Sequence, residues 1–172
     1  MQGRIIKWML LVSMGGVLAG CGNDADEQAF RRQLVDKAHN DDNQRAGQAF
    51  LARNAADEGV VSLPSGLQYR VLVSGSGAMP GAGSTVKVHY EGTLVDGTVF
   101  DSSYSRGEPV RFPLNRVIPG WIEGLQLMRE GAQWMLYIPS GLAYGMSSPT
   151  PEIAPNSALI FKVELLEVEP VQ

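Results

Sequence analysis

The chain has 172 residues, of which 44% are hydrophobic and 19% charged, an ordinary globular composition with room for one domain and a small appendage. Its 14 basic and 18 acidic residues give a net charge of −4, and no basic stripe runs along it, which excludes a nucleic acid partner. One cysteine and two histidines exclude an intramolecular disulfide and a Cys- or His-rich metal centre. We therefore expect no metal and no cofactor.

Residues 1–20 have the layout of a secretory signal peptide. Arg4 and Lys7 precede an almost wholly apolar stretch that ends in small residues and is shorter than the about 20 residues of a membrane span. Cys21 follows, and the sequence LAGC at 18–21 resembles the lipobox of bacterial lipoproteins. That resemblance implies cleavage before Cys21 and acylation of this cysteine, which attaches the protein to a membrane. An uncleaved anchor helix is the alternative.

The acyl chains would have to provide the whole membrane attachment. Removal of residues 1–20 takes away two basic residues and leaves 12 basic against 18 acidic, a net charge of −6 that anionic headgroups repel. Gly22 stands where lipoproteins retained at the inner membrane carry aspartate. The resemblance therefore implies a protein lipid-anchored in the bacterial cell envelope, at the outer membrane and facing the periplasm.

Residues 21–59 are expected to form an N-terminal helical arm or linker. Proline is absent from this segment, and Phe30, Leu34 and Val35 follow helical spacing. The polar run at 39–43 predicts a break, with His39 in a solvated loop, before a second helix that continues to about residue 57. The short, interrupted arm favours a monomer, and a dimer stays open.

Residues 60–172 are expected to form an α+β domain. Apolar alternation predicts strands at 67–73, 86–90, 98–101, 110–114, 133–138 and 159–168. Asp96 and Gly97 predict a hairpin turn, and Leu166 and Val168 interrupt the alternation of the last strand, which predicts a bulge or a change of packing partner. The apolar spacing over 119–131 predicts a short amphipathic helix ended by Gly131. The sum is an antiparallel sheet of five or six strands wrapped around one short helix.

The domain carries aromatic residues at turns and strand ends but no arrangement typical of a hydrolase. His89 lies on the polar face of a strand, and no serine occurs in a nucleophile motif near a histidine. Asp101 is the one acidic residue with apolar neighbours on its strand. These residues predict an apolar, aromatic-lined pocket with one carboxylate and a tyrosine hydroxyl, suited to apolar or proline-containing peptides. The alternative is that the aromatics are simply core, above all Phe161.

Five motifs in register make the pattern specific. They are VHYEG at 88–92, DGTVFDSS at 96–103, VIPGW at 117–121, LAYG at 142–145 and PNSALIF at 155–161. Together they resemble the FKBP-type peptidyl-prolyl cis-trans isomerases, above all the secreted bacterial subgroup typified by the macrophage infectivity potentiator. The resemblance covers roughly residues 46–169. It implies an FKBP-like fold and an enzyme that accelerates folding of proline-containing envelope or secreted proteins.

The resemblance also implies the site. Trp121 corresponds to the floor under the proline ring, the Ile118 N–H and the Tyr144 hydroxyl to donors to substrate carbonyls, and Asp101 to a buried carboxylate paired with Arg106. The substrate-binding positions are Tyr90, Phe100, Arg106, Val110, Val117, Ile153 and Phe161. Two features depart from the family: Val110 replaces a frequent aromatic residue, and the loop 146–154 has Ala154 in place of a proline.

The implied reaction needs no nucleophile, because peptide bond rotation costs resonance energy and forms no new bond. The resemblance implies proline-containing polypeptides as substrates and macrolides such as rapamycin as inhibitors. Two other functions stay open. One is a chaperone-like binding module for proline-containing or unfolded polypeptides with little turnover, and the other is a structural lipoprotein that reuses the fold.

Overall fold

The computed structural model describes residues 24–169, and it begins with a 31-residue helix, α1 (Asp24–Asn54). The predicted break at 39–43 is wrong, because α1 continues through it with His39 exposed on the helix. The polar residues there bind a distant loop: Asn43 Nδ2 donates to the carbonyl of Pro155 at 3.1 Å, and the carbonyl of Asn40 accepts from Asn156 Nδ2 at 3.4 Å. Tertiary contacts thus override a local preference for a turn.

The continuous helix removes one of the two reasons for favouring a monomer, the interruption of the arm. The apolar side chains of Phe30, Leu34 and Val35 are 59%, 51% and 53% exposed along α1. Within residues 24–169, the structure contains no helix both apolar and long enough to cross a bilayer.

The C-terminal half of α1 packs on the sheet, and residues from Val35 onward form one compact unit. Gly47 lies close to the loop before β7, since a Cβ built there would lie 2.9 Å from the Cβ of Ala158. The buried Asn54 side chain donates to Gln68 Oε1 at 2.8 Å, and Gln68 Nε2 donates to the carbonyl of Leu51 at 2.9 Å. These contacts hold the helix end against the sheet.

The sheet has seven strands and is antiparallel throughout. They are β1 (Val60–Ser62), β2 (Gln68–Val73), β3 (Thr85–Leu94), β4 (Val99–Ser102), β5 (Val110–Pro113), β6 (Gln133–Ile138) and β7 (Leu159–Glu169), in the order β1-β2-β6-β7-β3-β4 with β5 also paired to β3. The α+β class is therefore confirmed. The strand count exceeds the predicted five or six, because three residues of β1 are too few to show alternation.

The short helix of the domain, α3 (Pro119–Leu125), is packed against the inner face of the sheet. It ends six residues before Gly131, the predicted stop, and the chain from 126 to 131 forms turns. Met128 belongs to the apolar spacing that predicted a helix over 119–131, but it lies outside the helix and is fully buried. At this position the apolar pattern therefore indicated burial and not helical geometry. Gly131 has φ +85°, and its N–H donates to the carbonyl of Leu165 at 2.7 Å.

The predicted bulge in the last strand is confirmed. Lys87 of β3 opposes Glu167 of β7, whereas the next residue, Val88, opposes Leu165, so Leu166 is the extra residue. Leu165 on one side of this bulge is completely buried, and on the other side Val168 packs against the core opposite the fully buried Val86. The bulge thus lets one long strand keep its apolar face toward the core at both ends.

The contact at Gly47 predicts the sign of a stability change. Gly47→Leu should lower the free energy of unfolding by about 1–3 kcal/mol, because its Cβ would lie 2.9 Å from the Cβ of Ala158 and the helix or the loop before β7 must shift. Leucine has a higher helix propensity than glycine, so an unhindered site would gain stability. Urea unfolding followed by circular dichroism measures the change. Ala49→Leu, on the exposed face of α1, is the control, and equal stability of the two variants would contradict the packing.

Candidate active site

A cavity of about 270 Å³ opens between α3 and the strands β3, β4, β5 and β7. It is lined by Tyr90, Phe100, Asp101, Phe112, Arg116, Val117, Ile118, Trp121, Tyr144 and Phe161. Six of these ten residues have uncharged aromatic side chains, and only two carry a formal charge at neutral pH. The cavity is therefore suited to a small apolar group bound with few polar contacts.

Trp121 forms the buried floor of this cavity. Its ring is only 4% exposed and meets three other rings edge-on, those of Tyr90, Phe112 and Phe161, with centroids 5.4, 5.6 and 5.2 Å away. Such T-shaped contacts fix the orientation of the indole. Phe161 is 4% exposed and belongs both to the core and to the cavity wall, so the two roles foreseen for it coincide.

A bulge in β4 brings Phe100 and Asp101 to the same cavity. Successive residues of a regular strand point to opposite faces of the sheet. Here Gly92 opposes Asp101 while Thr93 opposes Val99, so Phe100 is an extra residue in β4. The local twist of a bulge re-aims side chains, and an apolar ring and a carboxylate that follow each other in sequence both line the cavity.

Gly92 provides the space that two of the cavity rings occupy. A Cβ at this position would lie 2.5 Å from Cζ of Phe100 and 2.8 Å from Cε1 of Phe161. These two rings contact each other edge-on with centroids 5.5 Å apart. Any larger residue at 92 would displace at least one ring, so the shape of the cavity depends on this glycine.

Tyr90, Asp101 and Arg106 form a hydrogen-bonded network at the cavity wall. The Tyr90 hydroxyl donates to one carboxylate oxygen of Asp101, the Arg106 guanidinium donates to the other, and Arg106 Nη2 also donates to the Tyr90 hydroxyl at 3.0 Å. Partial burial would raise the pKa of Asp101, but the hydrogen bonds from Tyr90 and Arg106 outweigh it and lower this pKa. Asp101 is therefore a carboxylate at neutral pH, and its charge is paired.

Ser103 fixes the short helix α2 (Ser103–Arg106) that carries Arg106. Its fully buried hydroxyl accepts from the Tyr90 N–H at 2.7 Å and donates to the Tyr90 carbonyl at 3.2 Å. Gly107 caps the helix in the left-handed conformation, with φ +76°. The backbone of β3 thus holds Arg106 next to the carboxylate that it pairs with.

Several hydrogen-bond donors at the cavity have no acceptor within residues 24–169, among them the buried Trp121 Nε1, the Ile118 N–H and the Tyr144 hydroxyl. Ile118 is the N-cap residue of α3, and its backbone N–H makes no intramolecular hydrogen bond in this part of the chain. The Tyr144 hydroxyl is likewise unpaired there, and its side chain is 38% exposed. Burial and then the charge of Asp101 raise the pKa of Tyr144, so the hydroxyl keeps its proton at neutral pH. The Ile118 N–H and the Tyr144 hydroxyl can donate to carbonyl oxygens of a bound chain.

The structure places most predicted positions around the cavity, with three exceptions: Val110, Ile153 and Arg106. Val110 is half-buried against the core, and Ile153 is 3% exposed within it, and neither lines the cavity. Arg106 lies behind Asp101, which it contacts. Within the described residues, no cluster of three metal-ligating side chains is present.

Sequence reasoning missed two residues of the lining, Phe112 and Arg116. Phe112 lies two residues after Val110 on the same face of β5, so strand alternation could have indicated it. Arg116 ends a 3₁₀ turn over Leu114–Arg116, and no sequence pattern marks its direction.

Comparisons with known proteins agree with this geometry. The family model for the FKBP-type peptidyl-prolyl cis-trans isomerase matches residues 77–166, and the model for the domain amino-terminal to it matches residues 18–71. The crystal structure of FkpA from Escherichia coli superposes with a TM-score of 0.79 at 41% sequence identity, and the match covers 91% of this chain and 76% of that one.

Two curated relatives show the extent of the similarity. The chain is 50% identical over 146 residues to the outer membrane protein MIP of Legionella longbeachae, covering 81% of this chain and 63% of the relative. It is 56% identical over 128 residues to the FKBP-type isomerase FkpA of Aeromonas hydrophila, covering 74% and 47%. The chain thus spans less than two thirds of the length of either relative. The family model, the fold and this identity together show that the chain belongs to the FKBP-type peptidyl-prolyl cis-trans isomerase family.

Proposed function

We propose that this protein is a peptidyl-prolyl cis-trans isomerase that accelerates the folding of proline-containing envelope or secreted proteins. The observation that carries the proposal is the pair of unpaired donors, the Ile118 N–H and the Tyr144 hydroxyl, above a floor of aromatic rings. The named relatives FkpA and the 22 kDa isomerase of Escherichia coli are FKBP-type isomerases, which supports it.

The barrier to this reaction is the loss of amide resonance. Rotation about a peptide bond costs about 18–20 kcal/mol, and uncatalysed prolyl isomerisation takes about 10–100 s. The planar ground state has a polar carbonyl that water stabilises, whereas the twisted transition state has lost resonance and is less polar. An apolar cavity excludes that water and therefore favours the twisted state. Trp121 and the rings around it provide such a surface for the proline.

Fixed donors add selectivity for the transition state. Only interactions stronger in the transition state than in the ground state raise the rate. The Ile118 N–H is held by the backbone at the start of α3, and it can fix a substrate carbonyl without reorganisation. The Tyr144 hydroxyl is a second donor, and Asp101, held by Tyr90 and Arg106, keeps this wall of the cavity rigid. The proposed substrate-binding surface comprises Tyr90, Phe100, Phe112, Val117 and Phe161.

We also propose that Cys21 carries the lipid anchor. Residues 1–23 lie outside the described part of the chain, so the proposal depends on the signal-like sequence and the lipobox resemblance. The relative from Legionella longbeachae is named an outer membrane protein, which supports a position in the cell envelope. A lipidated mature chain would then face the periplasm from the outer membrane.

Removing the polar groups of the cavity should slow catalysis without unfolding the domain. Loss of one hydrogen bond typically costs about 1–1.5 kcal/mol, so Tyr144→Phe and Asp101→Leu should each lower kcat/KM about five- to tenfold. Asp101 tolerates leucine because its side chain is 39% exposed. A protease-coupled peptide assay measures the rate, and circular dichroism checks the fold.

Tyr104→Phe is the matched control for Tyr144→Phe. Tyr104 is 37% exposed, close to the 38% of Tyr144, but its hydroxyl donates to Glu164 at 3.1 Å outside the cavity. This control should keep full activity. If both cavity variants also keep it, the assigned roles are wrong.

Suppression of aggregation without isomerisation would favour the chaperone-like binding module, and tight binding of rapamycin would oppose a purely structural lipoprotein.

Gly92→Ala should impair catalysis more than stability. The added methyl group meets the half-buried ring of Phe100, which can turn toward solvent, and the buried ring of Phe161, which must shift slightly, and both changes distort the cavity. We expect kcat/KM to fall at least fivefold, with a small decrease in Tm. Gly81→Ala is the control, because its Cβ would meet nothing closer than 4.0 Å. Unchanged kinetics in Gly92→Ala would show that the rings do not shape the substrate site.

Cys21→Ala should release the protein from the membrane. Expression with an alkyne-tagged fatty acid should label the wild type and not the variant, and fractionation should recover the variant as soluble protein or uncleaved precursor. A labelled variant, or equal membrane retention of a cleaved one, would refute acylation at Cys21.

A further inference from the structure

Arg116 brings a positive charge to the mouth of the cavity. It is the last residue of the 3₁₀ turn before Val117, and it is exposed while also lining the cavity. Ile118, which carries the free backbone donor, follows two residues later. Val117 between them is extended, with φ −104° and ψ 174°. Two extended residues span about 7 Å, so the Arg116 guanidinium lies within reach of a residue adjacent to the one that the Ile118 N–H would bind.

The charge of Arg116 is the only uncompensated one in the lining. Asp101 is paired with Arg106, and the tyrosines Tyr90 and Tyr144 have raised pKa values and stay neutral. Within residues 24–169, no carboxylate lies within 4.0 Å of Arg116. The charges of the lining residues sum to zero, but Asp101 is paired with Arg106 outside the lining, so these three residues together carry +1 on a protein whose overall charge is −4.

Arg111 shows that a nearby arginine can be paired on this surface. It lies on β5, five residues before Arg116, and its guanidinium contacts Glu169 at 2.7 Å and Glu167 at 3.5 Å. Its charge is thus neutralised within the fold and directed away from the cavity lining. Arg116 has no such partner in the described chain, which leaves all its donors available to a ligand.

We infer that Arg116 is a specificity-determining residue that favours clients with an acidic side chain adjacent to the proline. The inference rests on the proposed isomerase function and deepens it. A guanidinium binds a carboxylate through two parallel hydrogen bonds, which gives direction as well as attraction. The same charge repels a basic residue at that position.

The expected preference for acidic clients is small, and it affects substrate binding and not the chemical step. Arg116 touches a flanking side chain that the twisting bond does not move, so ground state and transition state gain equally, and KM changes while kcat does not. An exposed ion pair corresponds to about a two- to fivefold preference. Salt screens such a pair, so the preference should fall toward one at about 1 M salt.

Exchange NMR on capped peptides tests the inference without a coupling protease. Two peptide sets carry glutamate, glutamine or lysine immediately before or immediately after a single proline, and both ends are blocked to remove other charges. The wild type should isomerise glutamate peptides of at least one set two- to fivefold more efficiently than the glutamine peptides, through KM. Arg116→Gln should abolish this ratio, Arg116→Lys should keep part of it, and Arg116→Glu should favour lysine.

Arg53→Gln is the control for the change in net charge. Arg53 is exposed near the end of α1 and outside the cavity lining, so this variant should keep the wild-type preference. A ratio of one in the wild type, or an equal ratio in Arg116→Gln, would overturn the inference while the isomerase function stands. Failure to catalyse any peptide would instead overturn the proposed function.

Discussion

The bulge that places Phe100 between two paired positions of β3 and β4 is the constraint on which the site depends. A regular strand would turn either Phe100 or Asp101 away from the cavity, because neighbours in sequence point to opposite faces. With the extra residue, the ring and the carboxylate line the same space. Gly92, opposite the bulge, leaves room for the ring. One irregularity in a short edge pairing thus joins the apolar and the polar halves of the cavity.

Contacts behind the cavity keep this arrangement rigid. The Ser103 hydroxyl bonds both backbone groups of Tyr90, so helix α2 follows β3, and Arg106 stays beside Asp101. Trp121 is held by three rings edge-on. Preorganisation of this kind matters here because the barrier of the proposed reaction is the loss of amide resonance, and the protein takes no covalent part in it. The protein contributes only the shape of the cavity, the exclusion of water and fixed hydrogen-bond donors.

Helix α1 adds a second layer of support on the side of the loop before β7. Its polar residues near position 40 bind the backbone and side chain of Pro155 and Asn156, and Gly47 lies against Ala158. Asn156 has φ +60°, a conformation that asparagine tolerates better than most residues, and its N–H donates to the carbonyl of Gly145 at 2.7 Å. The loop that carries Tyr144 is therefore connected through Asn156 to a helix far from it in sequence.

The sequence by itself determined the α+β class, most strand positions, the bulge at Leu166 and most of the cavity lining. These features depend on alternation and on motifs whose residues are local, such as the run from Asp96 to Ser103. Only the tertiary structure decided the rest. It made α1 continuous, because Asn40 and Asn43 bind a loop more than 100 residues away. It placed Ile153 in the core and Val110 against the core, so neither residue lines the cavity, whereas Phe112 and Arg116 do. The sequence could not decide this, because the direction of a side chain depends on neighbours that only folding brings together.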